Sequence, residues 1–279
     1  METHKLIRIT ADDGGNEPKQ DELLLRFARA RCVSGVSFFV NMMPVPTQMN
    51  AFLAVPGFSV GMHLNLTDGR PVSRPSLIPS LVNREGAFPG PAVLFRRWMA
   101  HQLDAREVKT EVEAQVRRFR ELFGRMDHVD SHRHVHRFPG VARALAEVLP
   151  SMGLFPRTRC LNRCVVSTSG KPSSRQQMRY WLDDLKRLPG VFLKKRAHRH
   201  IRSAKLPMED GLLTPWPGIH PRSADAAGRW AQAFAAAPAG RWEANFHPGW
   251  HAAEAALLQD STFVAARSIY SCGDPETRS

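Results

Sequence analysis

The sequence predicts an α/β fold on a parallel sheet, open or closed into a barrel. Three observations carry this. Short strand-like apolar runs alternate with helix-patterned segments along most of the chain. At 279 residues the chain is long for an ordinary domain and normal for one α/β barrel. The polar residues that stand out (Asp12, Asp13, His63, Asp130, His132 and His247) fall at strand C-termini, the end where barrel sites assemble.

Lys5 to Ala11 is the first predicted strand and runs into Asp12-Asp13-Gly14-Gly15. Asp21 to Arg31 is a helix, with Leu24, Leu25, Phe27 and Ala28 on its apolar side. Val36 to Val40 is a second strand. Phe58 to Leu66 is a third, with Met62, Leu64 and Leu66 facing one way and His63, Asn65 and Thr67 the other. Residues 71–94, rich in Pro and Gly, read as a long irregular loop. The clearest helix is Ala105 to Phe123. Asp104 caps it, with Glu107 as the second half of a capping box, and Gly124 stops it. Val108, Val112, Val116, Phe119 and Phe123 form its buried stripe. A strand over Met126 to Ser131 follows, then helices from Pro139 to near Gly153, over Ser174 to Leu188 and over Ala224 to Ala236. Trp242 to Phe246 is a strand ending at His247-Pro248-Gly249, and His251 to Ser268 is a final helix. One catalytic domain over 1–271 is expected, with a polar tail over 272–279.

Composition narrows the function classes. With 43% hydrophobic and 23% charged residues, a full core can be buried and wholesale disorder is excluded. No apolar run approaches the ~18 residues of a membrane span, and the first residues lack a signal-peptide core. Four Cys cannot make a disulfide scaffold, and Cys160 and Cys164 lack the further ligands of a metal knuckle. A cytoplasmic protein is expected. The formal charge is +13, and the stretch from Lys186 to Lys205 holds eight Lys or Arg with no acid. Arg196 to Arg202 has little apolar content, which predicts an exposed loop or helix end. It is either a solvated face or a docking surface for an anionic partner, such as an acidic lipid at the inner face of the membrane. Nucleic acid is disfavoured: aromatics are not interleaved with the basic run, and no zinc finger, RNP or GxxG signature occurs.

Four of the twelve His lie between His128 and His136. In an extended chain His128, Asp130, His132, His134 and His136 share one side. Imidazoles ligate divalent metals and Asp130 can orient one ring, yet an open catalytic site takes three protein ligands, so not all four His ligate. The adjacent carboxylates Asp12 and Asp13 call for a cation or a hydrogen-bond nest, or form a plain turn. His63 is a ligand or a hydrogen-bonded structural residue. His247, held before Pro248, suits a general acid or is a loop His. Trp216, Trp242 and Trp250 are sugar-stacking candidates or core. No nucleophile elbow, P-loop or dinucleotide fingerprint is present.

Taken together, these residues resemble the YdjC-like carbohydrate deacetylase family. The resemblance rests on Ala11-Asp-Asp-x-Gly15, on Val60-Gly-Met-His-Leu-Asn-Leu-Thr-Asp-Gly-Arg-Pro-Val72 and on Ile78-Pro-Ser-Leu81. It continues in His128-Val-Asp-Ser-His-x-His-Val-His136 and His247-Pro-Gly249, in the family's order. The resemblance implies a distorted TIM-like (β/α) barrel in a single domain. The implied activity removes acetyl groups from N-acetylated amino sugars, in an oligosaccharide or a glycolipid precursor. It implies one divalent metal, magnesium by resemblance, with zinc also suited to the ligand chemistry. By position Asp13, His63 and His132 are the implied ligands, Asp12 the general base and His247 the general acid or an oxyanion contact. Arg157, His134 and Trp250 are the substrate-binding candidates. Gly14 stands where the family usually has Phe, a change expected to alter packing under the site and widen the pocket. Two other readings stay open: a metal-dependent phosphoesterase for an anionic substrate, and a non-catalytic carbohydrate-binding protein. A homo-oligomer is also left open.

Overall fold

The computed structural model describes residues 5–42, 49–168, 188–216 and 219–270. Eight strands among them pair in parallel: β1 (Lys5–Gly14), β2 (Gly35–Phe38), β3 (Ser59–Leu64), β4 (His128–Ser131), β5 (Arg157–Thr158), β6 (Arg163–Ser167), β7 (Gly211–Trp216) and β8 (Gly240–Phe246). Their order is β5-β4-β3-β2-β1-β8-β7-β6. A parallel bridge from Thr158 to Met208, just ahead of β7, curls the sheet toward closure. The result is the expected distorted TIM-like barrel, left open. The described helices are α1 (Pro18–Arg29), α2 (Met49–Leu53), α3 (Pro91–Met99), α4 (Ala105–Phe123), α5 (Pro139–Ser151), α6 (Leu188–Ser203), α7 (Ala226–Ala236), α8 (Ala252–Gln259) and α9 (Ser261–Ser268). None is long and apolar enough to cross a membrane.

Strand alternation splits β1 into two functions. Ile7, Ile9 and Ala11 join the hydrophobic core, while Arg8 and Asp12 have the other parity and form ion pairs inside the barrel. Barrel interiors of this kind are usually layers of branched aliphatic side chains. Here Arg8 and Arg157 meet Glu209, and above them Arg159 meets Glu243, Asp12 and Asp130. Glycines make room for this polar filling. A Cβ at Gly61 would come within 2.2 Å of the His128 ring, which lies between Ser37 and Ser59 at 2.9 and 2.7 Å.

α4 has the expected bounds, cap and stop: Asp104 accepts from Arg106 N at 2.7 Å, and Gly124 has φ +70°. The capping box is not completed. Glu107 instead accepts from Ser80 N at 2.6 Å, and the buried Glu111 accepts from Val72 N and Ser73 N at 3.0 and 2.9 Å. These carboxylates strap the 71–94 loop to the barrel. That segment is irregular apart from a short turn over Pro75–Leu77 and the start of α3.

Other expectations need correction. The predicted last helix is two, because Asp260 breaks it and caps α9 through Thr262 N and Phe263 N. For Arg196 to Arg202 the helix end, not the loop, is what forms: this stretch closes α6. α6 buries Ala197, His198 and Ile201 at helical spacing, a stripe too thin to be visible in composition. β5, β6 and β7 are short strands not anticipated from the sequence, as is α3. The predicted helix over Ser174 to Leu188 and the tail over 272–279 lie outside the described residues, save for Leu188 at the start of α6.

Candidate metal centre

β1 ends on a bulge. Its register with β2 runs Ala11↔Val36 and then Gly14↔Phe38, so β1 spends one extra residue. Asp13 takes that residue in the left-handed region, φ +65°, a conformation that costs a non-glycine residue about 1 kcal/mol and that Asp tolerates better than most. In a regular strand neighbouring side chains face opposite ways. The bulge breaks that rule, and Asp12 and Asp13 both line one cavity of about 790 Å³. Gly14 does not widen it. A Cβ there would lie 2.7 Å from Val36 Cγ1 and 2.8 Å from Phe38 Cδ1, so the fully buried Phe38 ring from β2 already fills that space.

His63 on β3 and Asp130 on β4 are register partners. His63 Nδ1 is 2.5 Å from Asp130 Oδ1, and Ser37 Oγ donates to Asp130 Oδ2 at 2.6 Å. That arrangement turns His63 Nε2 toward Asp13 Oδ1, 3.1 Å away. His132 follows β4 directly, with Nδ1 at 3.0 Å from the same Asp13 oxygen and Nε2 at 3.2 Å from Asp68 Oδ2. Phe39 presents its ring edge-on to both imidazoles, with centroids at 5.0 and 5.1 Å. One carboxylate oxygen and two imidazole nitrogens, all within 4.8 Å of one another, suit a divalent cation. Asp130 and Asp68 would each hold the far nitrogen of a ligating ring. A second group, Asp12, His63 and Asp130, meets the same distance test, but Arg159 already bridges its two carboxylates.

Arg159, just past β5 and fully buried, is the residue sequence reasoning missed. Its Nη1 and Nη2 donate to Asp12 Oδ2 and Oδ1 at 2.7 and 2.6 Å, and its Nε donates to Glu243 Oε1 at 2.9 Å. Nη2 also lies 2.6 Å from Asp130 Oδ2. Burial alone would raise the Asp12 carboxyl. The charge and hydrogen bonds of Arg159, with smaller help from His63 and His247, hold it well below the usual carboxylate range. Asp13 is likewise held low against its own burial by hydrogen bonds from His132 and His63. Burial opposes charging His63, yet the charge of Asp130 and bonds to Asp13 and Asp130 push it up to about 10.

At neutral pH, then, His63 carries a proton on each nitrogen and must lose one to ligate. Loading zinc or magnesium is expected to release about one proton from this site, and affinity should weaken roughly tenfold per pH unit on acidification. Calorimetric titration in two buffers of different ionisation heat reads this directly; equal heats would contradict it.

The chain leaves the extended conformation at Ser131, so the shared side expected for His128 to His136 does not exist. Arg133 and His134 both have φ +53° in a tight turn over His132–Arg137. His128 lies among the interior serines, and His136 Nδ1 meets Ser131 Oγ at 2.5 Å. His134 does line the cavity, and burial, then Arg159, lower it to about 4, so it stays neutral. His247 and Trp250, which follow β8 beside β1, also line the cavity, with His247 Nε2 at 3.8 Å from Asp12 Oδ2. A Cβ at Gly249 would lie 1.9 Å from Gln20 Nε2, so that side chain would have to shift to admit one. Arg157 is not among the cavity-lining residues; it pairs with Glu209 at 2.7 Å. Trp242 donates to Pro238 O at 2.9 Å and packs on the core, away from the mouth. The Trp216 side chain lies outside the described residues.

Comparison with known proteins agrees with this geometry. A mouse carbohydrate deacetylase is 37% identical over 163 residues, 56% of this chain and 52% of its own. A human carbohydrate deacetylase is 39% identical over 149 residues, 52% and 46%. A chitooligosaccharide deacetylase of Escherichia fergusonii is 32% identical over 159 residues, 55% and 59%. The match thus spans about half the length of these curated relatives. A crystal structure of a putative cellobiose-phosphate cleavage protein from Enterococcus faecalis V583 shares the fold. Its TM-score is 0.64 at 18% identity, over 96% of this chain and 95% of that one. The pattern of the family described as YdjC-like protein matches residues 6–269. With Asp12, Asp13, His63 and His132 gathered at one mouth of such a barrel, the chain belongs to the YdjC-like protein family.

Proposed function

We propose that this chain is a metal-dependent hydrolase that removes the N-acetyl group from an N-acetylated amino sugar, releasing acetate. The observation that carries this reading is the pairing of an Asp13–His63–His132 donor set with a separate carboxylate, Asp12, in the same cavity. A divalent cation held by those three side chains would supply Lewis-acid polarisation of the acetyl carbonyl and a more acidic water. Two nitrogens and one oxygen favour zinc or another first-row ion over magnesium. Arg159 keeps Asp12 ionised and fixes its orientation at a loss of basicity, so Asp12 is positioned to take the proton of an attacking water whose own acidity a bound cation would raise. The new C–O bond forms as that proton leaves. His247, in the same cavity, gives its proton to the amide nitrogen as the C–N bond breaks, because an unprotonated amine is a poor leaving group. Acetate and a free amino sugar result. Trp250 offers a face for the sugar ring, and His134 a neutral hydrogen-bonding group at the turn.

The test is acetate release from chito-oligosaccharides by the purified chain loaded with zinc, with cobalt and with magnesium. Release that needs the added metal supports the reading. Hydrolysis of p-nitrophenyl phosphate with no acetate from any acetylated sugar would replace it by the phosphoesterase reading.

A further inference from the structure

The reaction above leaves the rim of the cavity mouth unexplained. α6 adjoins it through the turn over His132–Arg137. Its buried residues Ala197, His198 and Ile201 face the barrel, while Phe192, Lys195, Arg196, Arg199 and Arg202 are exposed. The exposed set recurs every three or four residues and so shares one face of the helix. Residues 186–205 contain no acid. The carboxylate that α5 offers beside α6, Glu147, is held by Lys109 at 2.9 Å and Arg143 at 2.7 Å. Phe192, 71% exposed, sits on this basic face.

α6 packs on α5 and touches the turn over His132–Arg137, the turn that puts Arg133, His134 and Arg137 in the cavity wall. α3 continues the rim. Its first residue, Pro91, lines the cavity, and Phe95 and Met99 follow on the same face, 43% and 57% exposed. The Phe95 ring lies 6.0 Å from Phe138, next to Arg137. Trp250, in the cavity wall, is 56% exposed. One exposed apolar side chain is ordinary. Phe95, Met99 and Trp250 beside one opening, with Phe192 and the four cations Lys195, Arg196, Arg199 and Arg202 on the adjoining helix face, make the pattern of a surface that enters a headgroup layer.

We propose that this rim docks on an anionic lipid bilayer, α6 supplying the charge and Phe192, Phe95, Met99 and Trp250 entering at headgroup level. A lipid surface satisfies both the cations and the apolar side chains; a nucleic-acid backbone satisfies the cations alone. Docked this way, the mouth opens onto the membrane and takes its acetylated sugar from a lipid, a consequence that rests on the deacetylase reading while the docking does not.

The experiment is co-sedimentation of the full chain with substrate-free vesicles, one set of phosphatidylcholine and one of phosphatidylcholine with phosphatidylglycerol. Binding at least tenfold tighter to the anionic set, and weakening with salt, is expected. Lys195→Glu, Arg196→Glu and Arg199→Glu together should weaken it at least a hundredfold. Phe192→Ala should weaken it a few-fold, with the melting temperature unchanged in this and the charge-reversed variant. Failure of the wild type to pellet with either set, equal binding by the charge-reversed variant, or capture of duplex DNA in place of vesicles would overturn the proposal. Since the vesicles hold no substrate, the result is independent of whether acetate is ever released.

Discussion

Asp12→Asn is expected to cut acetate release by about a thousandfold while leaving metal binding intact. The size follows from the loss of a positioned proton acceptor. The retention follows from geometry. Asp12 lies outside the Asp13–His63–His132 donor set, and Asn keeps a carbonyl oxygen for Arg159 to bond. Arg159 keeps Asp130 and Glu243 as counter-charges, so the fold should survive. The contrasting variant is His132→Ala, which should lose metal and turnover together. Elemental analysis beside an acetate assay separates the two. An Asp12→Asn protein with more than a tenth of wild-type turnover would remove Asp12 from the role assigned to it.

Arg159→Met should destabilise the protein by about 3–5 kcal/mol, because it strands Asp12, Asp130 and Glu243 without their shared cation inside the barrel. The pH dependence gives the effect its signature. In the wild type the Asp12 carboxyl is depressed on folding, so its contribution is fully present above the ordinary carboxylate value near ~4 and is lost as pH falls below that. Without Arg159, burial raises the Asp12 carboxyl. The variant should therefore grow more stable as pH is lowered from 7.5 to 5, while the wild type stays level or falls. Urea unfolding at the two pH values reads the difference. Parallel curves would mean that Arg159 is not the counter-charge of this cluster.

Much of the site was legible because its chemistry sits in dense local patterns. Four His in nine residues, an Asp pair after a strand and a His before Pro-Gly each announce themselves, and α4 shows its cap, stripe and stop in one reading. The missed parts are single residues whose meaning lies in what they face. Arg159 belongs to an Arg-Thr-Arg triplet around a two-residue strand, too short for any periodicity, and the sequence offers no reason to prefer it over Arg157. The two differ by the layer of the barrel they reach: Arg157 meets Glu209, Arg159 meets Asp12. Phe39 and Asp68, which flank the two imidazoles, read as a strand residue and a turn residue. The one-sided His array failed because it assumed an extended chain past Ser131, where two consecutive left-handed residues turn the chain instead.

Arg159 ties one fate to several positions. A descendant of this chain that abandoned hydrolysis and kept only a sugar-binding role could discard Asp12 alone but not Arg159. Losing that acid leaves Arg159 its other two partners, whereas losing Arg159 makes Asp130 and Glu243 untenable in an interior closed to water. Decay beyond Asp12 should therefore proceed in concert, with those two acids and the arginine exchanged as a block. Among relatives Arg159, Asp130 and Glu243 are expected to co-vary, and a lone substitution of Arg159 marks a protein that has compensated nearby.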